Sequence, residues 1–275
     1  MKKTRCEIFH DNFQNYKKYN IPKAQLVIAD IPYNIGADAY GSNPMWYNGG
    51  DNSNGESKLA KKSFFNSDGY FKIAEYMHFC SRLLKPEPKE KGKAPAMIVF
   101  CAFDQIQTVA EYGARYGFSN WFPIFFCKNY SAQVLKANMR IVGATEFAVV
   151  LYRDKLPKFN NGRKIGEDGK PVRGTGHMVF DWFAWERDGK DIPKIHPTQK
   201  PVNVLKRLIE IFTDEGDVVI DPCCGSGSTL KAATELGRSA FGFEIDRNFY
   251  RAAKEKMLSG IAEAESVSEN QTSLF

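Results

Sequence analysis

No stretch of this 275-residue chain is apolar over the roughly 20 residues that a membrane-spanning helix needs. The basic start, Met1-Lys2-Lys3-Thr4-Arg5, runs into Cys6-Glu7-Ile8-Phe9 and not into the apolar core of a signal peptide, which predicts a cytoplasmic protein. Cysteine is sparse, with six residues and no spaced pairs. Cys6, Cys80, Cys101 and Cys127 stand singly in apolar surroundings and read as reduced core thiols. Cys223-Cys224 has no second Cys/His cluster to complete a zinc site, so no metal is expected. A Gly-Lys-Ser/Thr phosphate loop is missing, and so are the paired carboxylates with a Glu-x-Lys strand that a nuclease would carry. No internal repeat is visible.

What remains is a chain long enough for one large core, or a core with a small lobe. Its net charge of +6 is unevenly placed. Residues 128–173 hold ten Lys/Arg against four Asp/Glu, and the other residues hold 28 of each. The whole excess therefore lies in one central block, either an ordinary solvated surface or a face for phosphates.

Short β-branched runs alternate with amphipathic segments. Strands are predicted over 5–9, 24–29, 96–100, 121–127, 146–152, 217–221 and 240–244. Helices are predicted over 70–84, 104–116, 201–213, 228–236 and 248–258, with Asp246 capping the last. Such alternation predicts an α/β fold with a mostly parallel, doubly wound sheet covered on both faces. A Gly/Asn/Ser-rich loop spans 36–69, an irregular aromatic and basic insertion spans 153–195, and the polar tail 261–275 is expected to be disordered.

Two segments carry the chemistry, each at the end of a buried strand, where open α/β sheets bind ligands. The first is Asp30-Ile31-Pro32-Tyr33. An aromatic exocyclic amine is a poor nucleophile because its lone pair is delocalised. A carboxylate (Asp30) and a backbone carbonyl (Ile31) accepting its two N–H groups favour a pyramidal nitrogen. Pro32 fixes the backbone without donating, and Tyr33 offers a face for an extruded base. Standing alone, the tetrapeptide would read as an ordinary Asp/Pro turn.

The second is Asp221-Pro222-Cys223-Cys224-Gly225-Ser226-Gly227-Ser228. The third glycine of a dinucleotide loop would fall at Leu230, and Asp221 would repel a pyrophosphate. An acidic turn suits S-adenosylmethionine, which has no phosphate and carries an ammonium and a sulfonium. Glu244, one strand later, is placed to accept both ribose hydroxyls.

These residues resemble the DNA amino-methyltransferases, in the β class where the catalytic tetrapeptide precedes the cofactor loop. That family has Asp/Asn/Ser-Pro-Pro-Tyr where this chain has Ile31 second, and commonly Asp-Pro-Phe-x-Gly-Ser-Gly where this chain has Cys223. Ile195-His196-Pro197-Thr198-Gln199-Lys200-Pro201 is similar to the family's segment ahead of the cofactor loop. The resemblance implies Thr198 and Lys200 near the methionine carboxylate and Asp11 near the cofactor adenine. It implies a methyltransferase fold with permuted motif order: a catalytic half (1–127), an inserted basic DNA-recognition region (128–195), a cofactor half (196–260) and a tail (261–275). It also implies direct SN2 transfer from S-adenosylmethionine onto a flipped base in double-stranded DNA. Asp30 in first position favours adenine N6 over cytosine N4.

Lys128, Lys136, Arg140, Arg153, Lys155, Lys158, Arg163, Lys164 and Arg173 are expected to face DNA, with Trp46 or Phe64 of the long loop as wedges. Two other functions stay open at this point: the same chemistry on cytosine N4 or an RNA base, and a non-catalytic DNA-binding protein with a retained cofactor pocket. A homodimer and a separate restriction enzyme as partner are likewise open.

Overall fold

The computed structural model describes residues 4–33, 71–130 and 141–261, apart from 169, 171 and 197. The long loop, Lys136, Arg140, Trp46, Phe64 and all but the first residue of the tail lie outside the described residues.

Eight strands are described: β1 (Cys6–Phe9), β2 (Leu26–Asp30), β3 (Ala96–Cys101), β4 (Asn120–Lys128), β5 (Thr145–Tyr152), β6 (Trp182–Trp185), β7 (Val218–Asp221) and β8 (Ser239–Phe243). They form one sheet in the order β1-β8-β7-β2-β3-β5-β4-β6. All pairings are parallel except those of β5, which runs against β3 and β4. The helices are α1 (Ile73–Leu83), α2 (Ile106–Arg115), α3 (Val202–Phe212), α4 (Ser228–Glu235) and α5 (Arg247–Ala252).

The pleat divides each central strand between two cores. In β2, Leu26 and Ile28 join the cluster with Leu205, Leu208 and Ile209 of α3 and Leu230 of α4. Val27 and Ala29 point the other way, toward Tyr76, Met77 and Phe79 of α1. Burial on both faces explains why these strands read as continuous apolar runs, each large aliphatic contributing about 1.5–3 kcal/mol. Among the described residues, no helix is long and apolar enough to cross a membrane.

Three sequence expectations change. Residues 153–195 are not wholly irregular, because Trp182–Trp185 adds β6 alongside β4. Within it Trp185 is only 4% exposed and packs into the α3-side core. The region 128–195, read as an insertion in the core, contributes β5, where a strand was predicted over 146–152, and β6 to the sheet itself. Cys127 is exposed, not a core thiol, because it lies near the end of β4 with its side chain on the outer face.

β2 and β7 lie side by side and parallel. From β2 the chain proceeds to β3 on one side, and from β7 to β8 on the other. The strand order thus reverses between them, which opens a crevice at their C-terminal ends.

Candidate active site

Asp30 closes β2 and Asp221 closes β7, so both acidic residues meet at that crevice. Beyond Asp30 the backbone makes one more ladder bond, from Ile31 N–H to the Phe100 carbonyl at 3.1 Å, and then reaches Pro32, which cannot donate. Gln105 clasps the turn. Its side-chain oxygen accepts from Ala102 N–H at 3.0 Å, and its amide donates to the Pro32 carbonyl at 3.1 Å. The Ile31 side chain is buried in the α1-side core.

Four charged side chains alternate in sign across the site. Lys200 donates to Asp30 Oδ2 and lies 3.9 Å from Glu146 Oε2. Lys128 donates to Glu146 Oε1. Tyr33 donates its hydroxyl to Glu146 Oε2 at 2.9 Å. Asp30 Oδ1 is shielded from solvent and accepts no hydrogen bond among the described residues. Burial pushes the Asp30 carboxyl up, and Lys200 opposes that rise. Burial also works against the Lys200 charge, but Asp30 and Glu146 outweigh it and hold the ammonium above its ordinary value. Glu146 ends below its usual value because Lys200 and Lys128 overcome its burial. Burial, reinforced by Asp30, drives the Tyr33 phenol well above its usual range, so it stays protonated at neutral pH.

Aromatic rings wall this pair of ammoniums. Lys200 Nζ lies 5.3 Å from the Phe100 ring centre, 5.6 Å from Tyr33 and 5.8 Å from Trp185. Lys128 Nζ lies 4.8 Å from the Trp185 ring centre. The Trp185 indole donates to Tyr130 Oη at 3.1 Å.

The glycine turn forms the opposite wall. Asp221 Oδ1 accepts from Cys223 N–H at 3.0 Å, and Cys224 N–H reaches back to the Phe243 carbonyl at 3.0 Å. Gly227 enters α4 at φ +78°, where a Cβ would also lie 3.3 Å from Ala253 Cβ. Burial lifts the Asp221 carboxyl to about 7. It also holds the Cys223 and Cys224 thiols well above their usual value, so neither is a thiolate nucleophile. No cluster of metal-ligating side chains occurs among the described residues.

Both walls line one cavity of about 1520 Å³. It brings together Asp30, Ile31, Pro32, Tyr33, Thr198, Lys200, Asp221, Cys223, Gly225, Ser226, Ser228 and Glu244. Asp246 accepts from Asn248 and Phe249 N–H and caps α5, as its position predicts. Thr198 packs its hydroxyl 3.0 Å from His196 Nδ1, and burial holds that imidazole down at about 4, neutral at physiological pH.

Several expected positions need correcting. Asp11 is off the cavity wall, with both oxygens occupied by Asn12 N–H, Asn15, Tyr19 and Lys18. It organises the turn at Phe13–Lys18, and Asn12, Phe13 and Gln14 reach the cavity instead. Lys128 is tied inside the site to Glu146 and does not face outward. Arg153 spends its guanidinium on the Lys85 and Ser81 carbonyls and on the Phe118 ring. Lys158 is buried against Asp214 and Asp217, each at 2.7 Å, and Lys155 donates to the Pro88 carbonyl. Arg163, Lys164 and Arg173 are exposed. Sequence reasoning missed Glu146, Gln105 and Trp185. For Glu146 the one available signal was a lone acid at the start of an apolar strand.

An open sheet with two strand-end carboxylates facing across its switch point defines an α/β architecture with a ligand site at that point. The comparisons narrow the class. A model of the DNA methylase family for N6 and N4 methyltransferases matches residues 24–255, and the chain belongs to that family. Type II methyltransferase M.HpaI of Haemophilus parainfluenzae is 27% identical over 251 residues, 89% of this chain and 71% of that protein. DNA adenine methyltransferase YhdJ of Escherichia coli K12 is 26% identical over 273 residues, covering 91% and 81%. The crystal structure of the M1.HpyAVI–SAM complex shares the fold, with a TM-score of 0.57 at 21% identity, covering 91% of this chain and 98% of that one.

Proposed function

We propose that this DNA methylase transfers a methyl group from S-adenosylmethionine to adenine N6 of a base extruded from double-stranded DNA. The observation that carries the reading is Asp30 Oδ1, a shielded carboxylate oxygen without a partner among the described residues, at the end of β2 on the cavity wall. An amine N–H satisfies it.

The residues opposite fit the cofactor. Asp221 and Glu244 supply negative charge and ribose acceptors, and the Gly225–Gly227 turn leaves space for close approach. Ser226, Ser228, Thr198 and Cys223 complete that wall, and Gly227 shapes the turn. S-adenosylmethionine supplies an electrophilic methyl on a sulfonium. The chain's own residues orient the acceptor. Asp30 accepts one N–H and the Ile31 carbonyl the other, which localises the nitrogen lone pair. Tyr33, whose hydroxyl is anchored on Glu146, presents its ring for stacking. Positioning and fixed electrostatics would supply the acceleration. As the N–C bond formed, the methyl–sulfur bond would break to leave a neutral thioether, and the methylated nitrogen would release one proton to solvent, with none needed from His196. Arg163, Lys164 and Arg173, with Lys136 and Arg140, are the phosphate contacts in this reading.

Mass spectrometry of nucleosides from unmethylated DNA, incubated with the protein and S-adenosylmethionine, tests it. N6-methyladenine from the wild type and none from Asp30→Ala is expected. N4-methylcytosine would overturn the base assignment, and no methylated base would overturn the reaction in favour of a binding protein.

A further inference from the structure

We propose that Glu146 and Lys128 are positioning residues, the outer half of an alternating chain Lys128–Glu146–Lys200–Asp30 that keeps one Asp30 oxygen tied and the other unpaired for the amine. The inference rests on Asp30 being the acceptor named above.

The geometry carries it. The chain links four separate elements: β4 through Lys128, β5 through Glu146, the approach to α3 through Lys200 and β2 through Asp30. Two carboxylates and two ammoniums make it neutral, so it can persist in an enclosed, aromatic-walled site. Lys200 is only 8% exposed and has two acidic neighbours to choose between. Lys128 occupies the far oxygen of Glu146, which leaves Lys200 free to bond Asp30 Oδ2. Glu146 also holds the Tyr33 hydroxyl, so one residue sets both the acceptor and the stacking ring.

Removing either member redistributes Lys200, with opposite signs. In Lys128→Met, Glu146 loses its own cation and draws Lys200 away from Asp30, which disfavours the Asp30 carboxylate. In Glu146→Gln, Lys200 is left to Asp30 alone, which favours it, while Gln still accepts from Tyr33. The other groups bearing on Asp30 are Tyr33 itself, Asp221 and Cys223 at the end of β7, and Cys101 of β3. All are unchanged in both variants.

The test is the pH dependence of single-turnover methyl transfer on DNA. The acid limb, where Asp30 takes up a proton, moves up by about one unit in Lys128→Met and down by a similar amount in Glu146→Gln. The double variant restores neutrality and returns the limb toward that of the wild type. Lys128→Arg, which keeps the charge, holds it there. Residues that merely support the fold would lower the rate in both variants without moving the limb, and that result would overturn the proposal. Limbs shifted in the same direction would overturn it as well. Asp30→Ala, which leaves no side-chain acceptor, separates the two levels: if it retains wild-type turnover, the acceptor assignment itself fails. If it abolishes turnover and the limbs stay put, only the relay fails.

Discussion

Replacing Lys200 by methionine tests the electrostatic logic of the site through stability alone. The ammonium is buried between Asp30 and Glu146. Without it Glu146 keeps Lys128 and the Tyr33 hydroxyl, and Asp30 is the carboxylate left unpaired. Removing one partner of a buried pair costs about 3–5 kcal/mol. Asp30 can limit that loss by taking up a proton. From an ordinary value of 3.8, protonation at pH 7 costs about 4 kcal/mol, which sets the ceiling. The sign follows from linkage. A carboxyl raised in the folded state destabilises above its unfolded value and not below it. The deficit of Lys200→Met relative to the wild type is therefore greatest near pH 7–8. It shrinks by up to about 1.4 kcal/mol per unit toward pH 5. Burial already raises Asp30 in the wild type, so it is the difference between the two proteins that isolates Lys200. Urea unfolding of both at pH 5, 6, 7 and 8 measures it. A deficit equal at pH 5 and pH 8 would refute the reasoning, because a pH-independent loss is a packing loss.

Gly242→Ala places a Cβ 2.7 Å from a Leu230 methyl and 3.0 Å from Cys224 Sγ. It should cost about 1–3 kcal/mol in thermal unfolding and weaken cofactor binding in calorimetry, with Cys224→Ala in the same chain recovering part of both. Changing Arg163, Lys164 and Arg173 together to Ala should reduce the salt slope of DNA binding by up to about 3 and leave cofactor affinity unchanged. Lys158→Ala should lower stability instead, since its ammonium bridges Asp214 and Asp217. Asp11, held down at about 2 by Asn15 and Tyr19, favours the folded state above pH 4 and loses that effect as pH falls toward 2. Asp11→Asn should therefore flatten the acid side of the stability profile.

The order of the strands in the sheet was not written in the chain, but the strands themselves were. Leu26–Ala29, Ala96–Phe100 and Val218–Ile220 are apolar and β-branched because both faces of the sheet are covered, and that signal is local. The two strand-end motifs were legible for the same reason, since Asp30-Ile31-Pro32-Tyr33 and the Asp221–Gly227 turn are continuous in sequence. One helix start was legible too, from Asp246 as a cap. What the sequence could not decide was which charges turn inward. Ten Lys/Arg between 128 and 173 form one basic block on paper, yet Lys128, Arg153 and Lys158 are used inside the fold while Arg163, Lys164 and Arg173 face solvent. A lysine's destination depends on whether folding brings a carboxylate to it, and Asp214 lies 56 positions from Lys158. The site shows the same division. Composition and motif determined a carboxylate, a proline and an aromatic at a strand end opposite an acidic glycine turn. Only tertiary structure brought Lys200 to Asp30 across 170 positions and Glu146 to Tyr33 across 113. Long-range ion pairs form wherever the chain's return path places them, and no local pattern encodes that path.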